Sequence, residues 1–258
     1  MNAEPYVTSV VLILAVMGGL WVVSLWLKDA SIVDIGWGAG FALLAAGYWL
    51  ASTGSSPRQP LISMLAIVWG LRLALHLARR NLGKGEDARY ARWRAQYGAA
   101  WWWRSLLQVF VLQGVVMWLI SMPLAFAGSA PLNVLDAAGA LVWALGFAFE
   151  AVGDWQLARF KADPANKGLV LRTGLWRYTR HPNYFGDALV WWGLGLIAAA
   201  GGAWWALVSP MLMTWLLRRV SGVPLLEKHL ARTRAGYADY AAQTSAFWPW
   251  PPRGDGPN

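Results

Sequence analysis

The sequence predicts an all-α fold: a polytopic integral membrane protein with seven transmembrane helices, its N-terminus outside and its C-terminus cytoplasmic. Of the 258 residues, 57% are hydrophobic and only 14% are charged, whereas soluble domains average about 25% charged residues. Apolar stretches of about 20 residues recur along the chain, and each is long enough to cross a hydrocarbon core of about 30 Å. The 22 Lys and Arg residues outnumber the 13 Asp and Glu residues and fall in only some of the connections, as the basic cytoplasmic loops of membrane proteins do.

Seven apolar stretches are the predicted spans. In chain order they run over Tyr6–Leu27, Ile32–Ala51, Pro60–Leu77, Leu106–Ala127, Leu132–Leu157, Tyr184–Ala200 and Ala203–Leu217. The first has no basic start and is longer than the apolar part of a signal peptide, so we expect it to be a retained helix. Only Gly201-Gly202 separates the last two. They form a tight helical hairpin or, alternatively, one interrupted helix, which leaves six spans.

The distribution of cations sets the predicted orientation. Basic residues are concentrated in segments 79–104, 159–180 and 218–253, whereas the connections 52–59, 128–131 and 201–202 contain one cation, Arg58. Basic connections are cytoplasmic. We therefore expect one membrane-embedded domain over residues 1–258, with cytoplasmic loops near 78–105 and 158–183 and a cytoplasmic tail over 218–258.

Polar side chains within or beside the spans are the first candidate functional residues, because charge in lipid is costly unless it is paired or solvated. Asp34 opens the second span, Arg72 lies in the third and Gln113 in the fourth. An Asp–Arg pair that only holds helices together is the alternative interpretation. Glu150 and Asp154 are four residues apart, so they share one helical face. Two acids on one face repel each other unless cations or ligand donors meet them.

The segment 174–187 has the densest group of polar side chains. Arg177, Arg180, His181, Asn183 and Asp187 all precede or open the sixth span. A helix that begins near Asn183 directs its free N–H groups and its dipole toward the same place as these cations, which favours a phosphate or pyrophosphate ligand. Binding of phospholipid headgroups is the alternative. Headgroup binding explains the arginines of this segment but not the polar residues at the start of the helix.

Several other chemistries are excluded. Without Cys the chain has no disulfide and no thiolate ligand, and three His residues are too few for a histidine-rich di-iron site, so we expect no metal. Neither a Walker A motif nor a G-x-G-x-x-G motif after a strand is present. Membrane topology accounts for the net charge of +9. We therefore expect the lipid membrane as a partner, no nucleic acid and no obligate protein partner.

The motif Arg180-His-Pro-Asn-Tyr-Phe-Gly-Asp187, preceded by Leu171-Arg-Thr-Gly-Leu-Trp-Arg-Tyr178, resembles the signature of membrane steroid 5α-reductases and their bacterial homologues. The resemblance continues in 83–90, 227–229 and 237–240, so it covers nearly the whole chain. The Arg-His-Pro core is shared with sterol C14 and Δ7 reductases and with isoprenylcysteine and phospholipid methyltransferases. Asn183 and Asp187, together with Asp154, favour the reductases.

This resemblance implies a seven-helix fold in the bacterial inner membrane that binds NADPH from the cytosol and takes a steroid or another lipid enone from the bilayer. The implied enzyme is of the 3-oxo-5α-steroid 4-dehydrogenase type. Hydride goes to the β-carbon of a C=C–C=O group while an acid polarises the carbonyl. The alternatives are an S-adenosylmethionine-dependent methyltransferase of the isoprenylcysteine or phospholipid type, and a lipid-binding or sterol-sensing protein without catalysis.

The resemblance also assigns residues to roles. Asp34 matches the Glu that serves as the acid in the animal enzymes, and it must be buried to stay protonated near neutrality. The partner Tyr of those enzymes has no counterpart in the third span, where Trp69 lies nearest; Tyr90 and Tyr178 are the alternatives from loops. Arg72 is expected to polarise Asp34 or to contact the cofactor. The residues expected to bind NADPH are Lys84, Glu150, Asp154, Lys161, Arg172, Tyr178, Arg180, His181, Asn183, Asp187 and His229.

Overall fold

The computed structural model describes residues 3–52 and 56–253, and within these ranges it contains helices and no β-strand. The predicted all-α fold class is confirmed. The α-helices are α1 (Glu4–Leu27), α2 (Ile32–Ala51), α3 (Arg58–Asn81), α4 (Ala88–Tyr97), α5 (Trp101–Ser105), α6 (Leu112–Ile120), α7 (Met122–Ala125), α8 (Val134–Ala162), α9 (Pro182–Ala200), α10 (Val208–Trp215), α11 (Val223–Thr233) and α12 (Tyr237–Gln243).

Five helical stretches of the described chain are long and apolar enough to cross a membrane: α1, α2, α3, the stretch Ala88–Ile120 that includes α4 to α6, and α8. Each contains most or all of one of the first five predicted spans. The sixth predicted span lies in α9, whose first turn is polar, and the seventh lies in the shorter helical stretch 204–220. The chain is thus a multi-pass membrane protein by length and composition of its helices, whereas seven spans and the orientation of the termini stay predictions.

The chain divides into two compact units. Unit 1 comprises residues 1–136 and 197–209, and unit 2 comprises residues 137–196 and 210–258. Each unit has its own helix crossing built on glycine and its own cluster of polar side chains.

In unit 1, α2 and α3 cross with their backbones in close contact. A Cβ atom on Gly38 would lie 2.5 Å from the carbonyl oxygen of Gly70, so only a residue without a side chain permits this approach. Trp69 and Phe41 are fully buried beside the crossing, with their ring centroids 5.8 Å apart. Asp34 lies one helical turn before Gly38, so the crossing fixes its position relative to α3.

Arg58 joins the start of α3 to the start of α8, and its side chain is fully buried in unit 1. Its Nε and Nη2 groups donate to the two oxygens of Asp136 at 2.7 and 2.8 Å. Nη1 and Nη2 also donate to the carbonyls of Ala130 and Pro131, both at 2.8 Å. A buried ion pair offsets its desolvation cost only when its remaining groups are hydrogen-bonded in this way. Arg58 is therefore a structural residue that fixes the connection before α8.

In unit 2, α8 and α9 cross along a line of glycines. A Cβ atom on Gly186 would lie 2.5 Å from the carbonyl oxygen of Gly146, and one on Gly193 would lie 2.6 Å from that of Gly139. The close approach brings the last turns of α8 against the first turns of α9. The acids of α8 and the polar residues that open α9 are consequently neighbours.

Candidate functional site

Asp34 lies in a hydrogen-bonded group of four side chains in unit 1, here named the Asp34 cluster. Its Oδ1 accepts a hydrogen bond from the Tyr90 hydroxyl at 3.0 Å, and its Oδ2 accepts one from Arg89 Nη2 at 3.1 Å. Gln113 Nε2 donates to the Tyr90 oxygen at 3.3 Å. The Asp34 side chain is 18% exposed and Tyr90 is 5% exposed. An acid and a phenol are thus paired in a largely buried position.

The loop between α3 and α4 carries Tyr90 to this place. Gly83 and Gly85 both have φ of +78°, a conformation that side chains disfavour, and they turn the chain back after α3. Asp87 then caps α4 by accepting a hydrogen bond from the backbone N–H of Arg89 at 2.9 Å. Glu86 accepts from the Ala30 N–H at 2.8 Å, which ties this loop to the connection before α2. Tyr90, in the first turn of α4, therefore meets Asp34, in the first turn of α2.

Two acids flank the guanidinium of Arg89. Arg89 Nε donates to Asp87 Oδ1 at 2.9 Å while its Nη2 contacts Asp34. Burial raises the pKa of the Asp87 carboxyl, but the hydrogen bonds from Arg89 outweigh burial and lower it. Asp87 is therefore ionised at neutral pH and holds Arg89 in place.

This arrangement fixes the direction of the Tyr90 proton. An amide N–H occupies one side of the phenol oxygen, and a carboxylate oxygen accepts on the other. The single proton of this phenol is donated to Asp34, so Tyr90 can stabilise negative charge on a carbonyl oxygen only when its hydroxyl turns from Asp34 to that oxygen. The cluster thus contains the side chains that general acid catalysis requires.

The other predicted catalytic residues, Trp69 and Arg72, belong to α3 of unit 1. Trp69 is fully buried beside Phe41, which indicates a packing role in the core. Arg72 lies in α3, partly exposed. Their catalytic roles stay predictions. Tyr178, the second loop alternative for the phenol, is exposed in unit 2.

The sequence pattern does not indicate Arg89 as a site residue, and it indicates Gln113 only as a polar side chain within a span. Gln113 carries a signal as an amide in an apolar span, but Gln108 in the same span carries that signal too. Nothing in the sequence distinguishes Arg89 from the other cations of its basic loop. Its role depends on the turn at residues 83–87, which places two acids around it.

In unit 2, polar residues of α8 and α9 come together. Asn183 Nδ2 donates to Asp154 Oδ1 at 3.1 Å. Glu150 and Asp154 are both buried, and Glu150 lies against Gly186 at the helix crossing. Asp187 lies one turn after Asn183 on α9. The structure thus brings four of the predicted cofactor-binding residues to one crossing.

Arg180 and His181 belong to a second network, centred on Glu227. Arg180 Nε and Nη2 donate to the two oxygens of Glu227 at 2.8 and 2.9 Å, and the Tyr237 hydroxyl donates at 2.8 Å. His181 Nε2 lies 3.0 Å from Glu227 Oε1. Burial raises the pKa of the Glu227 carboxyl, but the hydrogen bonds from His181, Arg180 and Tyr237 outweigh it and lower the pKa from 4.5 to about 2.

The same arginine holds the C-terminal segment. Arg180 Nη1 donates to the carbonyls of Ala241 and Thr244, and the Arg180 backbone N–H donates to Ser245 at 2.9 Å. All three nitrogens of its guanidinium are therefore engaged within unit 2. A phosphate must compete with these acceptors. The predicted contact of Arg180 and His181 with a cofactor stays a prediction, and their observed role is to fix Glu227 and the tail.

The remaining predicted cofactor contacts are exposed. In unit 2 these are Lys161, Arg172, Tyr178 and His229, and in unit 1 Lys84. Arg172 donates to the carbonyl of Gly236, and its guanidinium lies 5.8 Å from the ring centroid of Tyr240. The donor set of unit 2 fits a dinucleotide: accessible cations suit phosphates, and the Asp154–Asn183 pair suits ribose hydroxyls or a carboxamide.

Comparison with known proteins gives a family. Residues 20–244 match the family described as proteins of unknown function, DUF1295. An uncharacterised protein of Schizosaccharomyces pombe is 26% identical over 245 residues, which cover 84% of this chain and 69% of that protein. A probable O-methyltransferase of Ustilaginoidea virens is 31% identical over 121 residues, which cover 47% of this chain and 41% of that protein. No solved structure matches the chain.

The family match contains both groups of polar side chains, since it begins before Asp34 and ends after Tyr240. The first of these relatives comes from a yeast, so a bacterial inner membrane stays a prediction. Because the match covers most of the 258 residues, the chain belongs to the DUF1295 family.

Proposed function

We propose that the protein is a membrane-embedded oxidoreductase that uses NADPH to reduce the C=C bond of a lipid enone, such as a Δ4-3-oxosteroid. The observation that carries the proposal is the hydrogen bond of 3.0 Å from the Tyr90 hydroxyl to Asp34. Reduction of an enone leaves negative charge on the carbonyl oxygen, which requires a donor. An acid paired with a tyrosine is also what the resemblance to steroid 5α-reductases implies.

In this proposal the four side chains of the Asp34 cluster have separate tasks. When the enone binds, the Tyr90 hydroxyl turns from Asp34 to the carbonyl oxygen, donates its proton there, and regains a proton from the carboxyl group of Asp34. Asp34 orients the phenol and exchanges protons with water at its exposed edge. The side-chain amide of Gln113 donates to the Tyr90 oxygen, so the hydroxyl proton of Tyr90 points away from that amide. Arg89 donates to the second oxygen of Asp34 and holds it in place.

NADPH, when bound, supplies the hydride for the β-carbon. The residues of unit 2 that fit its groups are Asp154 and Asn183, which hold one another at 3.1 Å, and the exposed side chains of Lys161, Arg172 and His229. The Arg180–Glu227 pair supports this surface by fixing the tail segment. Lys84, exposed in unit 1, is a further candidate for a phosphate contact.

An S-adenosylmethionine-dependent methyltransferase is the second candidate function. It is favoured by the likeness of part of the chain to a probable O-methyltransferase, at 31% identity over 121 residues. Methyl transfer to an oxygen or sulfur atom needs no proton donor at a carbonyl, so this function gives the Tyr90–Asp34 pair no task.

Purified protein in detergent tests the proposal directly. We expect NADPH oxidation and a saturated ketone product with progesterone or testosterone, and a loss of about 100-fold or more in Asp34→Asn. Asp239→Asn makes the same chemical change at an exposed acid of unit 2 and serves as the matched control; it keeps its activity.

Thermal shifts distinguish the two functions. Stabilisation by NADPH, without stabilisation by S-adenosylmethionine or S-adenosylhomocysteine, supports reduction. The reverse pattern, together with no cofactor oxidation across an enone panel, overturns the proposal in favour of methyl transfer.

A further inference from the structure

The last part of α10 in unit 2 carries apolar surface that leads directly to two arginines. Met211 and Trp215, one turn apart, are 49% and 53% exposed. The helix continues as a π-helical turn over Leu216–Val220, which contains Arg218 and Arg219. π-Helical turns are frequent at functional sites. Here the turn places two guanidinium groups within one helical turn of exposed Trp215.

A cavity of about 260 Å³ lies beside these arginines. It is lined by Arg218, Arg219, Val223 and residues 245–248. The guanidinium carbon of Arg218 lies 5.4 Å from the ring centroid of Phe247 and 5.5 Å from that of Trp248. These distances are those of cation–π contacts. Such contacts use no N–H hydrogen bond, so the N–H groups of Arg218 stay available to a ligand.

Neither arginine has an acidic partner in the part of the chain that the structure describes. Across residues 3–52 and 56–253, the side chains of Arg218 and Arg219 make no ion pair and no hydrogen bond. Arg180 in the same unit is, by contrast, fully engaged with Glu227 and the tail. Two guanidinium groups beside one cavity match the geometry of a phosphate, which accepts paired N–H donors.

We propose that this cavity binds the phosphate of an anionic phospholipid, with an acyl chain of that lipid lying along the exposed face of Met211 and Trp215. The continuity between apolar and basic surface favours a lipid over a soluble phosphate, because only a lipid covers both. Trp248 is half exposed at the rim, where amphipathic rings occupy the headgroup level of a bilayer. None of these residues is among the predicted cofactor contacts, so the site is independent of the proposed reaction.

Native mass spectrometry of the full chain in detergent tests this site. The probes are phosphatidylglycerol, phosphatidylcholine with the same acyl chains, and glycerol 3-phosphate. We expect retention of phosphatidylglycerol in preference to phosphatidylcholine, and about 25-fold weaker retention in Arg218→Gln/Arg219→Gln, since each cation near a membrane surface contributes about fivefold. Lys228→Gln/Arg232→Gln removes two exposed cations from the neighbouring α11 and is the matched control, expected to change retention less than about threefold.

Each of several results would overturn the inference. Equal losses in both double variants indicate diffuse surface charge rather than a site. Equal retention of the two lipids excludes selection for an anionic headgroup, and displacement of the lipid by glycerol 3-phosphate indicates a soluble phosphate ligand. Should the double variant lose its native thermal transition, the single variant Arg219→Gln is the test, because this exposed side chain contacts no aromatic ring among the described residues. Its expected loss is about fivefold, and an unchanged preference for phosphatidylglycerol also overturns the inference.

Discussion

Tyr90 differs from phenylalanine by one oxygen atom, and that atom joins Asp34 to Gln113. We predict that Tyr90→Phe lowers the rate of enone reduction by about 100-fold to 1,000-fold, because the carbonyl oxygen then lacks its donor. The ring itself keeps its contact with Trp93, whose centroid lies 5.9 Å away. NADPH oxidation in detergent, with product analysis, measures the effect.

Tyr97→Phe is the matched control for this prediction. Tyr97 lies in the same helix and stacks on Trp101 at 6.2 Å, outside the Asp34 cluster. We expect it to retain full activity. Loss of activity in both variants, or retention of more than half of the activity in Tyr90→Phe, contradicts the role assigned to the hydroxyl.

Glu227 gives a pH-dependent prediction. Its lowered pKa of about 2, against the ordinary 4.5, means that the folded state favours the ionised carboxylate. The stabilisation is therefore complete above pH 4.5 and is lost as the pH falls toward 2. After allowance for partial exposure it amounts to about 1–2 kcal/mol. Glu227→Gln, which cannot ionise, should be less stable than the natural chain at neutral pH by about this amount.

Thermal unfolding at several pH values checks the prediction. The difference between the natural chain and Glu227→Gln should be constant from neutrality to about pH 4.5 and should shrink below it. Tyr237→Phe removes one of the hydrogen bonds to Glu227 and should give a smaller difference with the same pH dependence. If the difference in stability between the natural chain and Glu227→Gln persists unchanged toward pH 2, the charge of the carboxylate does not stabilise the C-terminal segment.

At the scale of residues, the sequence identifies candidates where local pattern suffices. Asp34 is conspicuous as an acid in an apolar span, and helix periodicity places Glu150 and Asp154 on one face, but the hydrogen bond from Asn183 to Asp154 comes from the structure. The Tyr90–Asp34 hydrogen bond depends on two positive-φ glycines in the intervening loop. The Arg180–Glu227 pair joins residues 47 positions apart. Pairings between residues so far apart in the chain depend on how the helices pack together. The periodicity of a single helix carries no information about that packing.

Among the helices, the crossing of α8 and α9 is the element on which the unit 2 site depends. We predict that Gly186→Ala destabilises unit 2 by about 1–3 kcal/mol, since the added Cβ meets backbone at 2.5 Å and no side chain is present to move aside. The separation of the helices should also weaken NADPH-induced stabilisation, because Asp154 and Asn183 lie on opposite sides of the crossing. Thermal unfolding with and without NADPH measures both effects.

Gly19→Ala in α1 provides the comparison. No atom lies within 4 Å of a Cβ at that position, so the substitution adds a methyl group without a clash and should not lower stability. Comparable destabilisation by the two substitutions assigns the effect to glycine replacement in general and contradicts the importance of the crossing.

Hydropathy predicts the apolar centre of each helix better than its ends. The third predicted span, Pro60–Leu77, lies inside α3, which continues to Asn81. α4 is a polar helix in a segment that the sequence assigns only to a cytoplasmic loop. Helical hydrogen bonding continues wherever caps and side chains permit it, beyond the boundary of the lipid. Helix formation beyond the apolar segment is relevant to the candidate site, because Tyr90 and Arg89 belong to the polar helix α4.

For the whole molecule, the order of apolar segments follows from the sequence, whereas the number that cross the membrane depends on α9 and the stretch 204–220. α9 has 19 residues, about 28 Å of helix, which suffices for a span even though its first turn is polar. The glycine crossing with α8 provides a protein surface for those polar groups. Within a membrane, polar groups are tolerated when they face protein rather than lipid. This argument favours the seven-span topology.

The absence of cysteine makes this topology directly measurable. Single cysteines at Ser129, Thr173 and Trp204 are each introduced at an exposed position and tested with a membrane-impermeant maleimide in intact cells. Both topologies place Ser129 outside and Thr173 inside, so these two positions calibrate the labelling. Seven spans with an outer N-terminus place Trp204 outside, and we predict that it is labelled like Ser129. Five spans place Trp204 inside, where it is labelled only after permeabilisation, like Thr173. That result would show that α9 and the last helical stretch do not cross the membrane. Reversed labelling of all three positions instead rejects the predicted orientation, because the basic segments would then lie outside.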